Sequence, residues 1–284
     1  MPMGILAVLA AAGAVVSSGV VVRPVANLYS GPSEATDVVS QAICSAGVGI
    51  LEQRGEWAKI RTADDYTGWT QRANLRPLGP GEKPYAAAGR VAEVQSLFAH
   101  LYGEPGVTRR QPVLTVPFET KLEVAAEPDS GQGRWIQIRL PDERPAWVQR
   151  GDVVFSPPPL SIPEMIELAK RFLGLPYTWG GTSSYGYDCS GFAQMLCRRR
   201  GIPLPRDAQP QADWEGLRPV EKADLQPGDL LYFGCPAGKI THTGVYLGGG
   251  EFINATVHVR PVVQISRLEE EHWTRLFVAA RRPK

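Results

Sequence analysis

Tyr177-Thr178-Trp179-Gly180-Gly181 leads through a Ser- and Gly-containing loop into Asp188-Cys189-Ser190-Gly191-Phe192. Beyond it Phe192, Met195 and Leu196 recur at helical spacing before Gly201, which predicts a helix beginning at Cys189 and ending at Gly201. Cys189 then occupies the first turn of that helix. The exposed N–H groups and positive end of the helix there favour a thiolate and can hold a developing oxyanion, with the Cys189 N–H as the natural donor. An isolated cysteine is more often a small buried hydrophobe. Placement after a Gly-rich loop and between two polar residues instead points to a nucleophile.

A cysteine nucleophile needs a base and a group that orients the base. His242 opens the strand-like run His242-Thr243-Gly244-Val245-Tyr246-Leu247, and Gly248-Gly249-Gly250 turns the chain back as Glu251-Phe252-Ile253-Asn254-Ala255. A hairpin of this kind sets Asn254 beside His242, giving a Cys-His-Asn arrangement of the papain-like type. His258 is the rival third residue, reachable on the same face only if the strand continues without a bulge. Upstream, Ser161 and Glu164 form a capping box before an amphipathic helix that Gly174 closes, and a third strand is expected over 229–233. Helices followed by antiparallel strands make residues 160–284 an α+β domain.

The N-terminal half has a different texture. Trp57-Ala58-Lys59-Ile60-Arg61 returns as Trp135-Ile136-Gln137-Ile138-Arg139, and Trp69-Thr70-Gln71-Arg72 returns as Trp147-Val148-Gln149-Arg150, both at an offset of 78 residues. Two related units follow, 20–78 and 85–156, and their short alternating runs read as all-β. Pro77 to Pro84 links the units, and Pro157-Pro158-Pro159 precedes the α+β domain. Residues 1–19 read either as an atypical signal segment, with Ala12-Gly13-Ala14 as a cleavage site but no basic start, or as a disordered lead into the first strand.

The 30 basic and 29 acidic residues give a net charge of +1, which provides no field for nucleic acid. The stretch 4–22 is too rich in Ala, Gly and Ser for a membrane span. Arg198-Arg199-Arg200 ends a helix and complements its dipole. Cys44, Cys189, Cys197 and Cys235 contain no close metal-ligand pair, and Cys189 and Cys197 lie ~12 Å apart on one helix, too far to bridge. Cys44, Cys197 and Cys235 are expected to pack, and His100 and His272 to be isolated. Unpaired thiols and the missing basic start favour the cytoplasm over export.

The motifs Tyr-x-Trp-Gly-Gly, Asp-Cys-Ser-Gly-Phe, Pro205-Arg206-Asp207 with Gln211, Leu225-x-Pro227-Gly228-Asp229 and His-x-Gly-Val-Tyr-Leu-Gly together resemble the NlpC-type (p-sixty) cell-wall cysteine peptidases over about 161–282. The repeated N-terminal units resemble bacterial SH3-like domains. The implied fold is an α+β papain-like catalytic domain preceded by two all-β SH3-like barrels. By this resemblance Cys189 is the nucleophile, His242 the base, and Asn254 stands where many relatives have His. Tyr177 is implied near the oxyanion, with packing under the Gly loop as its alternative, and Trp179 of the same motif is implied to bind substrate. Asp188 and Ser190 are implied to hold the free amine of an N-terminal L-Ala, although Asp188 also suits a helix cap. Tyr66 is implied to wall off the cleft, and Arg206, Asp207 and Gln211 to border it. Ala208 departs from a serine that contacts substrate in several relatives.

The expected activity is hydrolysis of the γ-D-glutamyl-L-diamino acid bond in peptidoglycan-derived peptides with a free N-terminal L-Ala, with no metal or organic cofactor. The alternative is a secreted wall hydrolase using the SH3-like units as wall anchors. A wall-binding module with a decayed catalytic domain is disfavoured by the intact Cys189 and His242. A related fold can also carry amidase or acyltransferase chemistry.

Overall fold

The structure, a computed structural model, describes residues 14–126, 133–235 and 238–284. Most of the Ala12-Gly13-Ala14 segment therefore lies outside the described residues. The first strand, Ser17–Val21, pairs Ser17 with Ile50 and Ser18 with Gly49, so the first β unit begins earlier than residue 20.

The repeat seen in the sequence is a repeat of hairpin register. Trp57–Arg61 pairs with Thr67–Gln71 so that Trp57 faces Gln71 and Ile60 faces Gly68. Seventy-eight residues on, Trp135–Arg139 pairs with Pro145–Gln149 in the same way, Trp135 facing Gln149 and Ile138 facing Ala146. Each unit also sets a tyrosine edge-on to the repeated tryptophan: Tyr29 on Trp57 at 5.5 Å and Tyr102 on Trp135 at 5.4 Å between ring centres. Alternation of side chains along the strands turns Ala58 and Ile60 inward in the first unit, and Ile136 and Ile138 in the second, to form separate cores. Cys44 of the first unit is buried in the core of the second and helps join them.

In the third domain Ser161 and Glu164 form a complete capping box on helix α1 (Ile162–Lys170). Helix α2 (Cys189–Arg199) is followed by the short helix α3 (Ala208–Asp213) and by α4 (Glu271–Leu276). A six-stranded antiparallel sheet has the spatial order 217–220, 277–283, 230–234, 240–248, 251–256, 262–267. One face carries Leu230, Tyr232, Val245 and Ile253 and packs on Phe192, Met195 and Leu196 of α2. The other carries Leu231, Phe233 and Phe252 and packs on Trp273 of α4.

Both β units dock on this domain. Arg198 forms a 2.6 Å ion pair with Glu119, and Arg199 pairs with Glu93, so the arginine run at the end of α2 holds the second unit as well as meeting the helix dipole. Phe118 enters the catalytic core, its ring edge-on to Phe172. From the first unit, Gln41 accepts from Thr182 N at 3.1 Å and Asp64 accepts from Gln194 Nε2 at 2.9 Å. Among the described residues no helix is long and apolar enough to cross a membrane. Cys44 and Cys197 are buried, as the sequence suggests, but Cys235 is exposed, because it lies just past the end of the buried strand Leu230–Gly234.

Candidate active site

Three local features position Cys189. Asp188 caps α2 through its side chain, accepting from Gly191 N at 2.7 Å. A Cβ on Gly191 would lie 2.2 Å from the carbonyl oxygen of Gly181, so only glycine lets the helix start so close to the preceding loop. The backbone N–H groups of Ser190 and Thr243 lie near the Cys189 sulfur and favour its ionised form, where the start of α2 meets the strand Ile240–Gly248 that carries His242.

Asn254 lies on the neighbouring strand and is fully buried. Its Nδ2 donates to Gln264 O at 3.3 Å and to Ser266 Oγ at 3.1 Å. Its Oδ1 therefore faces His242 Nε2, 2.9 Å away, and can only accept. The proton is thereby kept on Nε2 and the Nδ1 lone pair left to act as base. Trp273 stacks under the imidazole at 5.1 Å and fixes the ring plane. The strand ends at Thr256, so His258 falls beyond it and stacks instead on His272, 3.7 Å between centroids and nearly parallel. His272 is thus not isolated, since α4 folds it back over the end of the His242 hairpin.

The electrostatics differ from the sequence expectation of a thiolate. Cys189 is 8% exposed, and burial raises its pKa to about 12, with Asp188 acting in the same direction against the N–H donors and Arg206. Burial lowers His242 to about 4, opposed by its hydrogen bond to Asn254. Both shifts favour a thiol beside a neutral imidazole in the resting site. Among the described residues no direct sulfur–imidazole hydrogen bond is formed, as is common before substrate binds.

Asp188 has a second commitment. Arg206, 3% exposed, grips it with Nη2 to Oδ2 at 2.6 Å and Nη1 to Oδ1 at 3.1 Å, and also donates to Ser190 Oγ and to Ser40 Oγ of the first β unit. Arg206 therefore lies beneath the site rather than along its border. Gln211 is likewise buried, donating to Ser190 O and Pro205 O. The side chain of Asp188, shared among a helix cap, Ser190 and a buried guanidinium, is poorly placed to receive a substrate ammonium.

Above these groups lies a cleft of about 580 Å³, with Cys189, Tyr177, Asp188, Ser190 and Asp207 in its wall and the first β unit supplying Tyr66 and Asp37. Tyr66 donates to Asp207 Oδ2 at 3.2 Å across the domain boundary. Burial and then Asp207 raise the Tyr66 phenol to about 12, so it stays a donor. Burial raises Asp207 above the usual aspartate range. Tyr177 has its phenol pushed up by burial and by nearby Cys189, and Trp179, 70% exposed, stands at the rim. Gly180 has φ +73°, and a Cβ there would meet Val38 at 2.8 Å, so glycine is needed where the first unit presses on the cleft. Sequence reasoning missed Asp37, Lys239 and Trp273. The first two belong to no motif and reach the cleft only by domain docking and a hairpin turn, and Trp273 reads simply as a core aromatic.

Residues 174–282 match the NlpC/P60 family, and residues 28–75 match the bacterial dipeptidyl-peptidase Sh3 domain. The chain is 29% identical to a gamma-D-glutamyl-L-lysine dipeptidyl-peptidase of Bacillus cereus, over 88% of this chain and 76% of that protein. It is 37% identical to the murein DD-endopeptidase MepH of Escherichia coli, over 39% of this chain and 41% of that one. A crystal structure of an NlpC/P60 family protein from Bacillus cereus superposes with a TM-score of 0.82 at 26% identity, covering 94% of this chain and 99% of that one.

Proposed function

Since the C-terminal domain of this chain belongs to the NlpC/P60 family of cysteine peptidases, we propose that the protein hydrolyses the γ-D-glutamyl-L-diamino acid bond of short peptidoglycan-derived peptides that begin with a free L-Ala, as in murein peptide recycling. Peptidoglycan-related hydrolysis is the activity of the family members it resembles. The narrower reading is supported by one observation, the hydrogen bond from Tyr66 to Asp207 in the cleft wall, by which Tyr66 would close that end of the cleft. A closed end suits a substrate that stops there.

Cys189 is the nucleophile in this reading. His242 Nδ1 takes the thiol proton as sulfur attacks the γ-carbonyl carbon, and Asn254 holds the imidazole throughout. The oxyanion is met by the Cys189 N–H and the Tyr177 hydroxyl. The proton on His242 passes to the departing amine of the diamino acid, leaving a thioester. His242 then deprotonates a water that cleaves the thioester, releases L-Ala-D-Glu with its γ-carboxyl free, and returns the proton to the Cys189 sulfur. No metal or organic cofactor enters. Asp207 and Asp37, with Tyr66, are better partners for the L-Ala ammonium than Asp188, whose charge Arg206 already balances. Docking of both β units onto the catalytic domain also speaks against their serving as free wall anchors.

The test is hydrolysis of L-Ala-γ-D-Glu-L-Lys beside its N-acetylated form, followed by mass spectrometry. Cleavage of only the free-amine peptide is expected. Equal cleavage of both would replace this reading with a wall hydrolase, and cleavage of neither would point to another acyl chemistry.

A further inference from the structure

The charged side chains in the cleft wall are Asp37, Asp188, Asp207 and Lys239. Arg206 neutralises Asp188 from below. Lys239 is then the sole cation facing the cleft among its described lining residues, and it has no acidic partner among the described residues. Its backbone is held firmly. Cys235 N donates to Lys239 O at 3.2 Å, and a Cβ on Gly234 would lie 1.9 Å from that same oxygen, so the chain crosses here at a distance only glycine allows. The next residue, Ile240, is buried and donates its N–H to Gln209 Oε1 at 2.8 Å, tying this turn to the start of α3 beside Ala208. Lys239 thus projects from a fixed point between the nucleophile's neighbour strand and the segment 207–209.

A γ-linked glutamyl residue keeps its α-carboxylate free, one carbon chain away from the scissile carbonyl. Such a substrate with a free amino terminus is a zwitterion, and the cleft lining carries both signs of charge, acidic at Asp37 and Asp207 and basic at Lys239. We infer that Lys239 pairs with the free α-carboxylate of the glutamyl residue that supplies the scissile carbonyl, and so selects γ-linked acidic substrates. This rests on the γ-glutamyl reading above.

The experiment compares L-Ala-γ-D-Glu-L-Lys with the analogue whose glutamyl α-carboxylate is a carboxamide, using the full-length protein and the variants Lys239→Met and Lys239→Arg. The wild type should prefer the acid in kcat/KM by about ten-fold, the range of one well-placed charge pair. Lys239→Met should bring that preference close to one, and Lys239→Arg should restore most of it. A merely structural role would lower both rates and leave the ratio, and that outcome overturns the assignment. A wild type that cleaves both peptides equally keeps the γ-glutamyl reading and removes Lys239 from it. A wild type that cleaves neither removes both.

Discussion

Replacing Asn254 by alanine tests the catalytic geometry most directly. The substitution removes the Oδ1 that accepts from His242 Nε2 at 2.9 Å and leaves Gln264 O and Ser266 Oγ without their donor in a fully buried site. With no acceptor at Nε2 the imidazole proton is free to move to Nδ1, which disables the base in that fraction of molecules, and the ring keeps only the Trp273 stack to hold it. A hydrogen bond of this kind contributes about 1–3 kcal/mol when its loss strands a buried partner, which corresponds to a fall in kcat of about 5- to 150-fold. Folding stability should drop by about 2 kcal/mol, read as a lower Tm. KM should change little, because Asn254 lies behind the histidine and outside the cleft wall. The assay is steady-state hydrolysis of L-Ala-γ-D-Glu-L-Lys alongside thermal melts, with His258→Ala in parallel. That second variant should keep near-normal kcat, since His258 stacks on His272 instead of bonding to His242. Unchanged kcat in Asn254→Ala, or a large loss in His258→Ala, would refute the assigned triad.

The other predictions concern charge and domain contact. His242 must be neutral to accept the thiol proton, and its pKa is lowered from 6.5 to about 4, so kcat/KM should hold down to about pH 4 and fall below it; an acid limb near 6.5 would show that burial does not govern this histidine. The same shift makes protonation favour the unfolded chain. Its stabilising contribution is complete above pH 6.5 and is lost as pH falls towards about 4, at most about 3 kcal/mol, which melts of wild type and His242→Gln across that window will reveal. Arg206→Met should cost about 3–5 kcal/mol because it leaves the carboxylate of Asp188 buried and unpaired, and a Tm within a degree or two of wild type would contradict that pairing. Gly180→Ala should lower both activity and Tm by forcing apart Val38 and the cleft loop, and an unaffected enzyme would mean that the first β unit is not pressed against the site.

Features that depend on short-range spacing are legible in the chain alone. The 78-residue echo carries the register of two hairpins because side-chain alternation and turn position are local properties of a strand pair. The capping box at Ser161, the helix that starts at Cys189 and the hairpin that joins His242 to Asn254 follow from the same kind of local pattern. What those groups experience is set by contacts between distant parts of the chain. The Cys189 thiol is pushed up by its burial and by Asp188 beside it, influences that helix position alone does not carry. Asp188 is committed to Arg206 by a contact between residues 18 apart, and Tyr66 reaches Asp207 across 141 residues. Cys235 is exposed and His272 partnered because one lies just past the end of a buried strand and a short helix folds the other back. Desolvation and long-range pairing are properties of surfaces that meet only when domains dock, and no periodicity in the chain records them.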